Sequence, residues 1–227
     1  RSPTLSNVSA VQAETRTSPF SGFVRFYDAM GIWFWILVFA IVFSCMNEYF
    51  FSYLNFRNIF RQASIFAIMS VGMTMVIISG GIDLSVGSVL SFTSAALGTT
   101  GQATGNFGLA LAAGMAVGIA TGLANGILIG YLQMPPFIAT FGLMSAGAGF
   151  AFALTPGSIG DFPAWFEYLG NGMVWKIPVP VIIMLVVAIV FYLLLNHRKF
   201  GLRTLAIGGN ENGARMAGIN VPRVKLA

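Results

Sequence analysis

Asp83 is the only charged residue between Arg61 and Asp161, and it lies in an otherwise apolar stretch of the sequence. An ionised Asp at the centre of a membrane helix costs about 3 kcal/mol on insertion scales, and more if it faces lipid. Glycines on both sides break the helix here, and irregular backbone at membrane depth is found only inside protein or beside a wet cavity. We therefore expect the helix-break motif Gly80–Ser88 to lie inside a bundle or at a helix junction, away from lipid.

Two roles are open for this motif. Asp83 or Ser85 is expected to cap a new helix from about residue 84 to 97, because both residue types accept hydrogen bonds from the free N–H groups of a helix start. The motif is alternatively a direct part of the transport path or its gate, and the two roles are compatible. Its candidate residues are Gly80, Gly81, Asp83, Ser85 and Gly87.

The composition is that of an integral membrane protein. Of the 227 residues, 56% are hydrophobic and 8% are charged, and the mean hydropathy is +0.81. A soluble domain carries about a quarter charged residues. The net charge of +5 is therefore a topology signal, and nucleic acid is not an expected partner.

We predict an all-α, polytopic transmembrane helix bundle with about six spans. They are expected at residues 32–50, 59–78, 84–100, 107–132, 137–154 and 177–196. Residues 1–29 are predicted to be a flexible cytoplasmic tail, 30–197 the bundle with an external loop at 155–176, and 198–227 a cytoplasmic segment. The loop has the composition of a short amphipathic surface helix.

The distribution of basic residues orients these spans. Nine of the 12 lysines and arginines fall in the first 29 residues or after His197, and the other three are Arg57, Arg61 and Lys176. Cytoplasmic loops carry the excess of positive charge. Both ends of the chain are therefore expected in the cytoplasm.

The predicted fourth span contains glycines at a regular interval of four residues. Glycines at this spacing form a groove along one ridge of a helix and allow another backbone to approach closely. We expect this ladder to be a helix-packing seam. Its members are Gly114, Gly118, Gly122, Gly126 and Gly130.

The segment after His197 contains the signals of one short helix. Asn210 is a good N-cap, Glu211 suits a first turn, and Gly218 suits the position after the C-terminus. A helix of about two turns, from Asn210 to Ala217, is predicted. The residues alone leave open whether it docks a partner or belongs to a basic loop held by anionic lipid headgroups.

Three stretches of the sequence resemble the permease subunits of bacterial sugar ABC importers, of the ribose and xylose type. They are Gly-Gly-Ile-Asp-Leu-Ser-Val-Gly-Ser at 80–88, Pro-Phe-Ile-Ala-Thr at 136–140, and the run from Gly208 through Arg215 to Val221. The resemblance covers roughly residues 47–227. Since relatives continue into further spans, the chain is expected to be the N-terminal part of a longer permease.

The resemblance implies a multi-pass protein of the bacterial inner membrane that imports a monosaccharide. It implies four kinds of partner: a cytoplasmic ABC ATPase that binds ATP and Mg, a second permease copy in a homo- or heterodimer, a periplasmic sugar-binding protein, and membrane lipid. It also implies that the segment 198–227 carries the helix that contacts the ATPase. The coupling residues carried over are Asn210, Glu211, Ala214, Arg215 and Gly218.

The chain is not expected to be an enzyme or to hold a cofactor or metal of its own. It has no Gly-x-x-x-x-Gly-Lys-Ser/Thr loop, and with Cys45 and His197 as its single Cys and His, no catalytic residues are assigned. Three alternatives remain open. They are an ABC permease for another small solute, such as a branched-chain amino acid or a signalling furanose; a secondary transporter or channel with Asp83 as a cation site; and a membrane scaffold.

Overall fold

The computed structural model describes residues 21–155, 160 and 162–226, and their side chains from residue 31 onward. Ten helices and one two-stranded antiparallel hairpin lie within these residues. The helices are α1 (Ser21–Met46), α2 (Tyr53–Ile78), α3 (Val86–Thr104), α4 (Phe107–Gly130), α5 (Pro136–Leu154), α6 (Ala164–Asn171), α7 (Val179–His197), α8 (Lys199–Gly209), α9 (Glu211–Met216) and α10 (Val221–Leu226). The hairpin pairs β1 (Met173–Val174) with β2 (Ile177–Pro178).

The all-α, polytopic fold class is confirmed. Four helices of the described region, α2, α4, α5 and α7, are long and apolar enough to cross a membrane. Helices α1 and α3 occupy the other two predicted spans, but the described apolar part of α1, Gly31–Met46, is shorter than a full span. Helix α3 has 19 residues and many serines, threonines and glycines, which lower its hydropathy.

The contacts divide the chain into two compact units, Arg1–Phe56 and Arg57–Ala227. In the first unit, aromatic side chains stack along α1. The ring centroids of Trp35 and Phe39 are 6.1 Å apart, and those of Phe39 and Phe43 are 6.2 Å apart. Side chains four residues apart share one face of a helix, so this row is a consequence of their spacing.

Helix α1 begins at Ser21, within the segment predicted to be the tail. Residues 21–29 are helical and continuous with the apolar part of α1. After Pro19 the sequence has no further proline until Pro135, so every residue of α1 has the backbone donor that a helix needs. Residues 1–20, the rest of the predicted tail, lie outside the described residues.

In the second unit, α3 packs against both α4 and α5. Its small residues allow these approaches, and Ala95, Ala96, Gly98 and Gly101 are buried. Several of its hydroxyls bond within the helix, and Ser91 Oγ, for example, donates to the carbonyl of Gly87 at 3.1 Å. Polar side chains bonded in this way are tolerated in a membrane helix because no donor is left unpaired.

The other polar parts of the second unit lie at opposite ends of α7. Before it come α6, the predicted short helix of the loop, and the hairpin, whose turn residue Trp175 is 98% exposed. Residues 156–159 and 161 of this loop lie outside the described part. After α7 comes the C-terminal segment, residues 198–226, in which α8, α9 and α10 pack around the buried side chains of Ile207, Ala214 and Val221.

Candidate functional site: the helix break and the C-terminal segment

The chain turns sharply where α2 ends, and a glycine makes the turn possible. Gly80 has a φ of +81°, in the left-handed region that side chains disfavour. Its N–H donates to the carbonyl of Ile77 at 2.9 Å, and the N–H of Gly81 donates to the carbonyl of Val76 at 3.0 Å. The last turn of α2 is therefore closed by the backbone of the helix-break motif.

The end of α8 lies directly against this turn. A Cβ atom on Gly208 would overlap the carbonyl oxygen of Ile78, so no larger residue fits there without movement. A Cβ atom on Gly80 would lie 3.8 Å from the Cα atom of Gly208. The motif therefore lies at a helix junction, at the same end of the second unit as the C-terminal segment.

Asp83 stabilises the start of α3 through its carboxylate. Its Oδ1 atom accepts hydrogen bonds from the N–H of Ser85 at 2.7 Å and from the hydroxyl of Ser85 at 2.6 Å. Ser85 is fully buried and occupies the N-cap position, but its side chain makes no capping hydrogen bond. Of the two residues expected to cap α3, Ser85 therefore occupies the cap position without accepting a capping hydrogen bond, and Asp83 accepts from its N–H instead.

Polar side chains from α4 and α5 meet the motif. Asn125 Nδ2 donates to Ser85 Oγ at 3.0 Å, which extends the chain of hydrogen bonds from Asp83 into α4. The Asn125 Oδ1 atom is buried and has no hydrogen-bond partner within the described residues. From α5, the buried Thr140 hydroxyl donates to the carbonyl of Pro136 at 2.8 Å and lies 3.4 Å from that of Ile82.

The first turn of α3 has one open and one tightly packed position. No atom lies within 4 Å of a Cβ position on Gly87, so close packing does not require a glycine there. The next residue, Ser88, packs against α5, where a Cβ atom on Gly147 would lie 3.2 Å from Ser88 Oγ. Close approach to the first turn of α3 is therefore made at Ser88.

A cavity of about 270 Å³, which we call the helix-break cavity, lies between the motif, α4, the start of α5 and α10. Its polar lining includes Asp83, Asn125, Thr140 and Lys225, and its apolar lining includes Ile129 and Leu226. The cavity therefore combines hydrogen-bonding groups of both kinds with hydrocarbon surface. Such a mixed lining is typical of small-molecule sites.

The glycine ladder of α4 packs against two different elements. A Cβ atom on Gly114 would lie 3.2 Å from Thr93 O and Leu97 Cβ of α3, and one on Gly118 would lie 3.4 Å from Thr93 Cγ2. Further along α4, the neighbour is α10 and the contacts are closer. A Cβ atom on Gly126 would lie 2.8 Å from Leu226 Cα, and one on Gly130 would lie 2.9 Å from Pro222 O.

Gly122, at the middle of the ladder, departs from the predicted seam. No atom lies within 4 Å of its Cβ position, and it lines the cavity. The ladder drifts around α4, so its two ends face α3 and α10 while its middle faces the space between them. Gly122 is therefore a cavity residue, and the expectation that it belongs to a packing seam is wrong.

The predicted short helix of the C-terminal segment is confirmed as α9, Glu211–Met216. Asn210 is extended and its side chain accepts a hydrogen bond from the N–H of Gly213 at 2.9 Å, so it is the N-cap. Gly218 has a φ of +81°, and the N–H of Ile219 donates to the carbonyl of Ala214 at 3.0 Å. This closure is the expected glycine-terminated helix end.

Glu211 joins α9 to α10 through two ion pairs. Its carboxylate oxygens lie 2.8 Å from Arg215 Nη2 and 2.7 Å from Lys225 Nζ. The hydrogen bond from Lys225, followed by that from Arg215, lowers the pKa of Glu211 below its ordinary value of 4.5. Arg215, one of the expected coupling residues, is therefore already paired with Glu211 one helical turn away.

Two residues that the sequence analysis did not name, Asn125 and Lys225, complete this arrangement. Thr140 and Gly208 also belong to it, although the sequence analysis named them only as parts of the motifs that carry the resemblance. Asn125 carried a usable signal, because a lone amide in an apolar, glycine-rich helix needs a partner inside the bundle. Lys225 carried none, since its pairing with Glu211 across 14 residues depends on how α10 folds back.

The family described as branched-chain amino acid transport system / permease component matches residues 55–227. No solved structure shows a significant match.

Curated relatives match over almost the whole chain. The ribose import permease protein RbsC of Bacillus subtilis is 38% identical over 220 residues, which cover 95% of this chain and 67% of the relative. RbsC of Escherichia coli strain K12 is 37% identical over 199 residues, covering 84% and 61%. The L-arabinose transport system permease protein AraH of Escherichia coli strain K12 is 34% identical over 226 residues, covering 98% and 68%.

The chain thus spans about two thirds of the length of these relatives. The similarity and the apolar helices agree on a multi-pass protein of the inner membrane. The resemblance to sugar ABC importer permeases that the motifs indicated is confirmed, and the chain belongs to this family of transport-system permease components.

Proposed function

We propose that this chain forms part of the permease subunit of an ATP-driven (ABC) importer that carries a monosaccharide across the cytoplasmic membrane. The observation that carries the proposal is the 34 to 38% identity to ribose and L-arabinose permeases over most of the chain. The family description names branched-chain amino acids, but these relatives, matched over a longer part of the chain, are named for pentoses. A pentose is therefore the first substrate to test.

The C-terminal segment is the proposed contact for the ATPase, which would bind ATP and Mg. Helix α9 is capped at both ends, and its Met216 side chain is 91% exposed. A short rigid helix with an exposed apolar side chain is a suitable docking element for a groove on a partner. The coupling residues act here by two means: Asn210, Ala214 and Gly218 fix the helix, and Glu211 ties it to α10.

The ion pair between Glu211 and Lys225 gives a physical route from the ATPase to the membrane helices. Glu211 contacts Lys225, and the adjacent Leu226 is in contact range of Gly126 on α4. Both Lys225 and Leu226 line the cavity beside Asp83. A displacement of α9 would therefore move one wall of the cavity, and we assign the helix-break cavity to the gate of the transport path at the ATPase end.

The cation-site alternative is less well supported by the local geometry. Asp83 Oδ1 accepts two hydrogen bonds from Ser85, which is a structural role, and no group of three or more potential metal-binding side chains lies within the described residues.

The proposed assembly includes a second permease copy and a periplasmic sugar-binding protein as further partners.

Reconstitution tests this function. The complete permease, purified with its ATPase and binding protein and placed in proteoliposomes, should take up labelled ribose or L-arabinose only when ATP is supplied on the ATPase side. If ATP-dependent uptake of leucine exceeded that of both sugars, the proposed substrate would change from a monosaccharide to a branched-chain amino acid. Uptake that is independent of ATP would contradict the ABC mechanism and support a secondary transporter or channel.

A further inference from the structure

The C-terminal segment contains more positive charge than its own carboxylate can pair. After Glu167 the sequence has one acidic residue, Glu211, against six basic residues that follow His197. Glu211 pairs with Arg215 and Lys225. Within the part of the chain that the structure describes, Lys199, Arg203 and Arg223 form no ion pair.

These three side chains line one open groove of about 840 Å³ between α8, α10 and the connection that follows α9. We call it the basic groove. Its apolar lining includes Ala206, Ile219 and Val224, and none of the described residues that line it is a carboxylate. Three cations beside an apolar surface are complementary to a ligand that has an anionic headgroup and a hydrocarbon chain.

The position of the basic groove along the chain places it next to a membrane boundary. Helix α7, one of the four helices suited to crossing a membrane, ends at His197, and Lys199 and Arg203 follow in the first turns of α8. Leu202 and Leu205 of α8 are 69% and 50% exposed. A helix that directly follows a span and exposes leucines beside basic residues is typical of the headgroup and upper acyl region of a bilayer.

We propose that the basic groove is a binding site for the phosphate headgroup of an anionic phospholipid, with Lys199, Arg203 and Arg223 as its ligands. The headgroup would lie between α8 and α10 and the acyl chains against the exposed leucines. Because α10 also lines the helix-break cavity, an occupied groove would hold that wall in place. The proposal rests on the membrane location of the chain and not on which solute it carries.

A docked acidic segment of the ATPase would satisfy the same cations. The phospholipid is favoured because the groove begins two residues after a membrane-crossing helix and because leucines, which an acidic polar partner would leave exposed, adjoin it. The ATPase contact is therefore an outcome of the test.

The test uses the complete permease in a neutral detergent, titrated with short-chain phosphatidylglycerol, with phosphatidylcholine of equal chain length and inorganic phosphate as comparators. Bound lipid is counted by native mass spectrometry. An arginine that donates a charge-assisted hydrogen bond to the phosphate contributes about tenfold or more in affinity, so Arg203→Gln and Arg223→Gln should each weaken phosphatidylglycerol binding by at least about tenfold. Arg198→Gln, at the same membrane end but outside the groove, is the matched control; it removes only the general surface charge and should weaken binding by no more than about fivefold.

Both arginines are exposed, so these substitutions should leave the lipid-free melting temperature unchanged, and unfolding can be told from lost binding. An equal effect of Arg198→Gln, or equal binding of phosphatidylcholine, would overturn the site. Equally tight binding of inorganic phosphate would make it a free-anion site. Unchanged lipid affinity together with loss of ATPase co-purification in Arg203→Gln would make the groove part of the ATPase interface.

Discussion

The contact between α4 and α10 allows a sharp test, because the glycine ladder offers a matched control within one helix. Alanine at position 126 would place its Cβ atom 2.8 Å from the Cα and Cδ1 atoms of Leu226. Carbon atoms in contact normally lie about 3.5–4.0 Å apart, so α10 would have to move by about 1 Å. Movement is opposed by the ion pair between Lys225 and Glu211, which ties α10 to α9.

The expected magnitude follows from comparing Gly126→Ala with Gly122→Ala. Each change improves helix propensity by up to about 1 kcal/mol, and this common gain cancels in the comparison. Only the substitution at position 126 also overpacks its site, which lowers the free energy of unfolding by about 1–3 kcal/mol in well-packed sites. Gly122→Ala should be neutral or stabilising, because no atom lies within 4 Å of its Cβ position.

Thermal unfolding of the complete permease in detergent measures this difference. At roughly 2–4 °C per kcal/mol, the Gly126→Ala variant should melt several degrees below Gly122→Ala. If Gly126→Ala melted at the same temperature as Gly122→Ala or above it, α10 would not be held against α4, and the proposed route from α9 to the cavity would lose its last step.

Three further predictions concern the break, the ion pairs and the orientation. Asp83→Asn should fold normally because Asn retains an acceptor for the buried Ser85 N–H. Asp83→Leu should lower the folded yield, because a buried donor left without a partner costs about 1–3 kcal/mol. Normal yield of the leucine variant would refute this role. The lowered pKa of Glu211 means that its contribution to stability is complete above about pH 4.5 and is lost as the pH falls through the folded-state pKa. The protection of the α9 amides against hydrogen exchange, taken relative to their intrinsic exchange rates, should therefore fall on acidification in the wild type and depend less on pH in Glu211→Gln; identical profiles would refute it. In a Cys45→Ser background, Asn212→Cys and Trp175→Cys, which lie beyond opposite ends of α7, should be labelled from the cytoplasmic and the external side respectively, and labelling from the same side would contradict the topology.

Local rules predicted much of this fold because the relevant signals lie within a few residues of each other. The N-cap Asn210, the left-handed Gly218 and the helix between them depend only on short-range backbone geometry. The predicted spans likewise follow from runs of apolar residues, and the helix bounds agree with them closely where no glycine or polar side chain blurs the ends.

The roles that local rules did not predict depend on contacts distant in sequence. Gly122 has the same spacing as its neighbours in the ladder, and only the positions of α3 and α10 show that it faces a cavity. Ser85 is as good a capping residue as any, but Asn125, 40 residues away, donates to its hydroxyl and Asp83 accepts from it. Arg215 could be paired with Glu211 on spacing alone, while the competing ion pair to Lys225 required the fold of α10.

The central claim is that α9 transmits the action of an ATPase to the membrane helices, and Gly218 tests it most directly. Its φ of +81° disfavours a β-branched residue, yet nothing lies within 4 Å of its Cβ position, so backbone strain is the only local cost of a substitution. Asn tolerates the left-handed region and is the matched control. The measurement is sugar-stimulated ATP hydrolysis by the complete permease reconstituted with its ATPase and binding protein, together with ATPase co-purification. Gly218→Val should insert into the membrane normally but lose most of the stimulation and bind the ATPase weakly, while Gly218→Asn should retain both; full stimulation and binding in Gly218→Val would contradict the coupling role of α9.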